Sequence, residues 1–361
     1  MNVTHTPVES ISKAFDTIEG SGFQLEEITS IVERKPVKPG LLTALIGGPD
    51  VSMTTDTYKF DKVTKSVVLP GGKSYTENGP DVPKTGATQH RVAIGSYGLR
   101  SNVLPGDYSG RRKPGTQEFL SEADVVADMD EKVQIAWDLS EERQWASLLT
   151  TDTNLPLGGP VAAVDWWAEL ESGARPAARN MDLGTSTTSH EVLFRNERLL
   201  GDQQLARSGD SASGWVVICT NEFFDARYEI EKNVGLARPL QYGIDLASDL
   251  LPELNMGGFK YAMFNSYDGL TYINYGSEII AGTKLLPAVG TAFMVPIGTQ
   301  KLFSAGVAPA QTRSYVNTPG LGMYTWSNVH ERNGVTVFTE RNVLHTLHNP
   351  SVIRYLDDGI A

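Results

Sequence analysis

Three residues of this sequence carry side chains that could act as a nucleophile or as metal ligands. Cys219 lies inside the apolar run WVVICT, where a thiol behaves as a small hydrophobic group and lacks the exposed, electropositive setting that activates a nucleophile. His345 and His348 are three residues apart, a spacing that could hold a metal on a helix. The segment VLHTLHNP has no Glu in the place of an HExxH motif, and its strand-like residues followed by Pro350 disfavour a helix. We therefore predict a buried cysteine and structural or surface histidines.

A phosphate-binding loop is the next candidate. Gly72, Lys73 and Ser74 in LPGGKSY match the last three positions of that motif. Its first glycine would have to occupy position 67, which is Val67, and no strand-loop-helix pattern surrounds it. We interpret this stretch as a turn.

Two pairs of adjacent residues have simpler interpretations. Asp357 and Asp358 follow a strand-like stretch in a polar tail, and no apolar pocket isolates them to raise a pKa, so we predict a solvated tail. Trp166 and Trp167 would face opposite sides of a strand, which favours packing over a ligand box. We expect no catalytic, cofactor-binding or metal-binding residue, and no cofactor.

Charge and cysteine content limit the function classes. The net charge is −12, from 31 Lys and Arg against 43 Asp and Glu, which argues against affinity by phosphate neutralisation. The one compact basic cluster, Arg111, Arg112 and Lys113, precedes an acidic segment. It is a solvated loop, a contact for acidic surface on a neighbouring copy or, as the least favoured alternative, a phosphate contact. A single cysteine excludes intrachain disulfides, and neither a secretory signal nor a membrane-spanning run of roughly 18 apolar residues is visible. We expect a soluble chain made in the cytoplasm.

The elements that would position these residues are unusual in the first half of the sequence. Residues 1–40 hold two short amphipathic pieces that end at a Pro36 and Pro39 pair, and residues 51–99 form two strand-like runs around a turn-rich tip, a ribbon with little core of its own. The segment 121–150 predicts a helix on the order of 45 Å long that opens with a capping box of Ser121 and Asp124.

The second half of the sequence predicts a mixed α+β region. Its residues 293–329 are rich in Gly, Pro, Asn and Thr and nearly free of charge, which suits either an active-site loop or a surface that contacts copies of the same chain. The predicted elements are a strand in 161–170, a helix at 191–206, a strand at 215–219 leading into a helix, a turn at Asp268-Gly269, and strands at 335–341 and 352–356.

The order of several motifs resembles a known family. FQLEEITSIVERKPVKPGLLTAL is followed by the ribbon, by SYGLRSNVLPGDYSGRRKPG and by the long helix. Later come Pro-Ile-Gly at 296–298, Ala-Pro-Ala at 308–310, Val-Asn-Thr at 316–318, and RNVLHTLHNPSVIRYL, which lacks the proline of the family's Asn-Pro-Leu run. Together they are similar to the lambda-type major capsid proteins (protein E family) of tailed bacteriophages.

This resemblance implies an α+β fold of the Hong Kong 97 type. Carried onto this chain, it implies an N-terminal arm at 1–45, an extended loop at 50–100, a peripheral domain at 101–209 with its spine helix at 121–150, an axial domain at 210–325, and returning strands at 326–361. The arm and the ribbon would then lack a core because neighbouring subunits supply it.

The resemblance also implies a function without catalysis. The chain would self-assemble through hexamers and pentamers into an icosahedral head shell in the virion, around double-stranded DNA held without sequence preference. Partners would be further copies of the chain, scaffold and portal proteins and a decoration protein, with no membrane. Two alternatives stay open: an encapsulin-type compartment that encloses protein cargo, and an intracellular hydrolase.

Overall fold

The computed structural model describes most of the chain from residue 40 onward. The described residues are 40–64, 84–113, 118–154, 163–171, 173–184, 190–237, 253–256, 259–266, 268–276, 279–280, 283–286, 288–310, 312, 314–315, 317–330 and 334–360. The candidate turn at 69–75, and the arm before residue 40, lie outside these residues.

The first half of the chain contains the long helix and the ribbon. Its elements are α1 (Leu41–Ile46), β1 (Asp50–Ser52), β2 (Thr57–Thr64), β3 (Gly86–Ala93), β4 (Tyr97–Val103), α2 (Pro105–Tyr108), α3 (Glu122–Thr151), β5 (Thr153–Asn154), β6 (Val164–Asp165), α4 (Trp166–Leu170), β7 (Arg179–Asn180) and α5 (His190–Arg207).

The second half is mainly strand. Its elements are β8 (Gly214–Cys219), α6 (Asn221–Ala237), β9 (Glu253–Met256), β10 (Phe259–Asn265), β11 (Thr271–Asn274), β12 (Ile279–Ile280), β13 (Thr283–Lys284), β14 (Thr291–Ile297), β15 (Phe303–Val307), β16 (Tyr324–His330), β17 (Gly334–Arg341), β18 (Val343–Leu347), a 3₁₀ turn (Pro350–Val352) and β19 (Arg354–Asp357).

A seven-stranded mixed sheet forms the centre of the main core, with the order β7-β19-β14-β8-β11-β10-β9. Strand β8 pairs with β11 in parallel and with β14 in antiparallel register. Its near-continuous apolar run suits a strand covered on both faces. Helices α5 and α6 pack on the sheet, and Phe194 of α5 meets Tyr272 of β11 at 5.6 Å between ring centroids. The predicted strand at 215–219 and the helices beside it are confirmed.

Helix α3 is the predicted long helix. Its 30 residues begin after Ser121, whose side chain accepts from the Asp124 backbone N–H while Asp124 accepts from the Ser121 backbone N–H. The helix ends at Asp152, which adopts a left-handed conformation with φ of 52°. The first half faces solvent and the second half is buried, with Trp145 and Leu149 in the main core. The helix therefore connects the main core to the outer part of the subunit.

Two small sheets and the ribbon complete the fold. The sheet β1-β15-β18 and the sheet β16-β17-β4 both contact α3. The ribbon pairs β2 with β3 from Thr57 opposite Ala93 to Thr64 opposite Gly86. The predicted ribbon is confirmed, but Tyr97 and Leu99 belong to β4, which pairs with β17 instead.

Two sequence predictions about local structure were wrong. The expected strand around Trp166 is two residues long and leads into α4, because Asp165 accepts from the Ala168 backbone N–H and starts a helix there. Trp166 is consequently buried while Trp167 is half-buried and donates to the carbonyl of Gly173. The two tryptophans therefore do not pack on opposite faces of a sheet.

The C-terminal tail also differs from its prediction. Asp358 is 7% exposed, and its carboxylate accepts from the Ile360 backbone N–H, so it closes a turn and is not solvated. Asp357 is half-buried and accepts from the Gly359 backbone N–H in the same turn. The strand expected at 352–356 is β19, which begins two residues later, after the 3₁₀ turn.

The first half of the low-charge segment 293–329 is mostly internal, and the described residues of its second half are mostly exposed. The first half forms β14 and β15 and the buried residues 308–310, which explains the absence of charge there without a neighbouring copy. Gly320 lies so close to β15 that an added Cβ would meet the Val307 carbonyl oxygen at 2.1 Å. The remaining exposed part, with Leu321 and Met323, is the part that could contact another subunit.

Candidate functional site

The described residues do not assemble a metal centre. Among them, no group of three or more His, Cys, Asp or Glu side chains is placed to hold a metal ion. Cys219 is fully buried in β8, and burial raises the pKa of its thiol well above the ordinary value, so the thiol stays protonated at neutral pH. The prediction that Cys219 is buried is confirmed.

The two candidate histidines lie on or beside a strand. His345 is in β18, packed edge-on against Trp145 with its Nε2 3.9 Å from Glu141, and burial lowers its pKa. His348 follows β18 and its Nε2 is 2.9 Å from the Ser304 hydroxyl. Both are structural side chains, in agreement with the sequence prediction.

Two opposing effects act on the pKa of Glu141, which lies beside His345. Burial alone would raise the pKa of Glu141, but contact with His345 and the ion pair with Arg341, at 2.7 Å, outweigh it and lower that pKa to about 2. The carboxylate is therefore ionised under ordinary conditions and joins α3 to β17 and β18.

For Asp152, at the end of α3, the effect of burial on the pKa outweighs the effect of its polar contacts. It accepts the Tyr355 hydroxyl hydrogen and lies 3.1 Å from Nε of Arg175, whose guanidinium stacks on the Tyr355 ring at 3.4 Å. Burial dominates over these contacts and raises the pKa of Asp152 to about 6. Such a pKa suits an acid-base residue. Here, however, its partners are those of a structural cluster that ties α3 to β19.

A second buried carboxylate, Glu142, holds the first described helix in place. Its oxygens accept from the backbone N–H groups of Leu42 and Thr43 at 2.8 and 3.0 Å and from the hydroxyl of Thr43 at 2.9 Å. The hydroxyl of Tyr275 donates to the same carboxylate at 2.6 Å. The side chain is 0% exposed, and its four bonds offset the cost of burying a charge.

The ribbon has a packed base and an unsupported outer half. At the base, Tyr58 and Val92 are buried, and Phe60 stacks on His90 at 5.1 Å. Nδ1 of His90 lies 2.8 Å from the Glu169 carboxylate of α4. Beyond this point the described side chains are mostly exposed, and Val63 is 53% exposed. The predicted lack of an internal core is confirmed for the described residues beyond the base, 61–63 and 84–89.

Exposed apolar side chains occur in several parts of the described structure. Three of them lie on one face of helix α5, and six more lie in and around strands β4 and β16. They are Val192, Leu199 and Leu200 on α5, and Leu99, Leu104, Phe119, Leu321, Met323 and Val329 around the small sheet. Isolated exposed apolar residues are ordinary, but contiguous ones mark contact surfaces.

The three residues of the basic cluster before α3 differ in their surroundings. Lys113 lies 3.1 Å from Asp124 at the start of α3, within the same chain. Arg111 and Arg112 are exposed beside it. The cluster therefore needs no neighbouring copy to pair its lysine.

Sequence comparison identifies the family. The sequence matches the family described as phage major capsid protein E over residues 24–356. The chain belongs to this family. No curated protein matches it at a significant level.

Solved structures agree on the fold. The capsid structure of the cyanophage P-SCSP1u is 8% identical, with a TM-score of 0.51 and coverage of 99% of this chain and 96% of that one. The mature capsid of bacteriophage PhiM1 is 11% identical, with a TM-score of 0.52 and coverage of 93% and 92%. The predicted Hong Kong 97-type capsid fold is confirmed.

One structure of another kind is also similar. The holo-SrpI encapsulin of Synechococcus elongatus PCC 7942 is 9% identical, with a TM-score of 0.43. That score is too low to favour a protein compartment over a virion shell. The family to which the chain belongs is one of structural proteins of the phage capsid.

In the part of the chain that the structure describes, no helix combines the length and the apolar character needed to cross a membrane. Glu142 and Asp152 were not among the residues predicted from the sequence to matter. A signal for Glu142 exists, because it lies midway between Ile135 and Leu149 at seven-residue spacing, which places a carboxylate on the apolar face of α3.

Proposed function

We propose that this capsid protein builds the icosahedral head of a tailed double-stranded DNA phage through rings of five and six copies. Support comes from the family match and from the exposed apolar surfaces and unsupported ribbon of the single subunit. Contacts repeated around a ring suit such a shell, because each copy is held by several neighbours at once and avidity multiplies weak contacts. No catalytic residue is required.

The arm and the ribbon are the proposed connectors between subunits. The ribbon's outer half leaves apolar side chains such as Val63 at the surface. The arm reaches the body of the subunit at α1, which is fixed by Glu142. Because α1 is fixed to the subunit core, a force on the arm would be transmitted to that core.

The domain division is a proposal on the same basis. We assign an arm at 1–45, an extended loop at 50–100, a peripheral domain at 101–209 around α3, an axial domain at 210–325 and returning strands at 326–361. The contacts of α1 favour treating the last residues of the assigned arm, from Leu41 onward, as part of the body, since Leu41 and Leu42 are buried in the main core.

Further partners follow from the proposed role. Scaffold and portal proteins and a decoration protein would bind the shell, which would be assembled in the cytoplasm of a host bacterium. DNA would be held without sequence preference, and the net charge of −12 keeps the wall from trapping it. A compartment role would instead place an enzyme inside the shell.

Deletion of residues 1–39 tests the role of the arm. The deletion leaves α1 and its bonds to Glu142 intact, so we expect folded subunits by circular dichroism but no closed shells by electron microscopy. The full-length chain, expressed in the same way, is the control. Closed shells from the truncated chain would show that the arm is not a connector.

A further inference from the structure

A cavity of about 230 Å³ lies beside the edge strand β7, between α4, the end of α5 and the segment before β19. Trp167 and Tyr355 supply aromatic walls. The polar side chains that line it are Arg179, Gln204, Ser351 and Arg354. This combination of aromatic walls and a few convergent polar groups is typical of small-ligand sites.

The charge of the lining is the informative feature. Two arginines and no carboxylate line the cavity, although the chain as a whole carries a net charge of −12. The balancing acid, Glu197, is 6% exposed and does not line the cavity. The cavity therefore presents a positive surface in an acidic protein.

Glu197 holds both arginines in place. Nε and Nη2 of Arg354 lie 2.9 and 2.8 Å from its Oε2, and Nε of Arg179 lies 3.8 Å from its Oε1. The hydrogen bonds of the described residues leave Nη1 of Arg354 and both Nη atoms of Arg179 without an acceptor. These N–H groups are available to an anion.

The aromatic walls are fixed as well. The indole N–H of Trp167 donates to the carbonyl of Gly173 at 3.2 Å. Tyr355 is clamped between the stacked guanidinium of Arg175, at 3.4 Å, and an edge contact with Phe293. A flat group entering the cavity would thus meet preorganised surfaces, which reduces the entropy lost on binding.

We propose that this cavity binds a phosphate ester, with the phosphate between Arg179 and Arg354 and the nucleoside against Trp167 and Tyr355. Guanidinium groups match phosphate oxygens in geometry, and aromatic side chains stack on bases of any sequence. The source of the phosphate is either a free nucleotide or the end or backbone of nucleic acid. This role goes beyond shell formation and does not depend on it.

Titration calorimetry of the full chain with AMP and with inorganic phosphate tests the proposal. Arg179→Gln removes the less constrained arginine and keeps the Arg354–Glu197 pair, so we expect AMP affinity to fall by about tenfold, the loss of one charge-assisted contact. Arg112→Gln is the matched control, since Arg112 is exposed and lies outside the cavity. Circular dichroism verifies that both variants are folded.

The outcomes separate the possibilities. Binding of AMP without binding of a short DNA duplex identifies a free nucleotide, and duplex binding that Arg179→Gln weakens identifies nucleic acid. Trp167→Leu should weaken AMP but leave inorganic phosphate unchanged. Absence of AMP and duplex binding, or equal losses in the two arginine variants, overturns the proposal. Shell formation by Arg179→Gln is expected to be normal, so failure here leaves the capsid role untouched.

Discussion

Helix α1 and the ribbon β2–β3 are stabilised in different ways, although the sequence suggests that both lack a core. Leu41, Leu42 and Ile46 of α1 are buried in the subunit's own core, and Glu142 accepts three of the helix's hydrogen bonds. In the ribbon only the base is buried, and the outer half has exposed side chains on paired strands.

The difference separates an element that is fixed to its own subunit from one whose surface is open to a neighbouring subunit. Removing α1 from its place would take away three of the four hydrogen-bond donors of a buried carboxylate, which is costly. The outer ribbon gains little from its own subunit beyond strand pairing, and an isolated two-stranded hairpin is marginal in water. We infer that α1 stays on its subunit while the ribbon is completed by a neighbour.

The largest expected effect comes from Glu142→Ala. It leaves the N–H groups of Leu42 and Thr43 and the hydroxyls of Thr43 and Tyr275 without their acceptor. We expect the free energy of unfolding of the unassembled chain to fall by about 3 to 5 kcal/mol in urea titrations.

Glu131→Ala is the control for that measurement, because Glu131 is an exposed residue of the same helix. It should change the free energy of unfolding by no more than about 0.5 kcal/mol. Equal effects of the two substitutions would show that α1 is not held by Glu142 and would remove the contrast with the ribbon.

The pH dependence of unfolding gives a second contrast between core and ribbon. The folded-state pKa of Asp152, about 6, lies above its ordinary value of 3.8. The folded protein therefore binds this proton more tightly than the unfolded chain does. The stability it contributes is present below about pH 4 and is lost as the pH rises through 6, by about 3 kcal/mol in all.

Asp152→Asn should remove this contribution. We expect the free energy of unfolding of the original chain, minus that of the variant, to decrease by about 3 kcal/mol between pH 4 and pH 7. Thr88→Ser, at an exposed position of the ribbon without a titratable side chain, is the control and should give a nearly constant difference. A constant difference for Asp152→Asn as well would contradict the assigned pKa.

The smallest expected effects on stability come from two substitutions in the ribbon, one in its buried base and one at an exposed position. Val92→Thr places a hydroxyl in the buried base and should lower the free energy of unfolding by about 1 to 2 kcal/mol. Val63→Thr keeps a β-branched residue at an exposed position, so the change should stay within about 0.5 kcal/mol.

Shell yield should respond differently from stability. If a neighbouring subunit covers Val63, Val63→Thr lowers the yield of shells counted by electron microscopy while the subunit remains as stable as before. Unchanged yield would mean that Val63 stays exposed to solvent in the shell.

Local patterns explain which parts of the fold could be predicted. The capping box of Ser121 and Asp124 and the alternating strands of the ribbon depend on residues close in sequence, and both predictions were confirmed. Strand β16 was not predicted, because its residues form a strand only through pairing with β17, whereas the residues of β18 had already been described as strand-like.

The buried charged residues depend on distant contacts. Glu142 bonds to residues 99 and 100 positions away, and Asp152 meets Tyr355, 203 positions away. No local pattern encodes such partners: the spacing of Glu142 from Ile135 and Leu149 places its carboxylate on the apolar face of α3 but does not show what that carboxylate binds. The capsid family could be predicted because its motifs are spread along the chain in a recognisable order.

Electron microscopy of the full chain, expressed alone and with a scaffold protein, tests the central claim most directly. We predict closed shells, tubes or rings of five and six copies, in which the outer half of the ribbon lies against a neighbouring subunit. Uniform monomers in both samples would contradict the account, because the exposed surfaces and the ribbon would then have no neighbour to complete them.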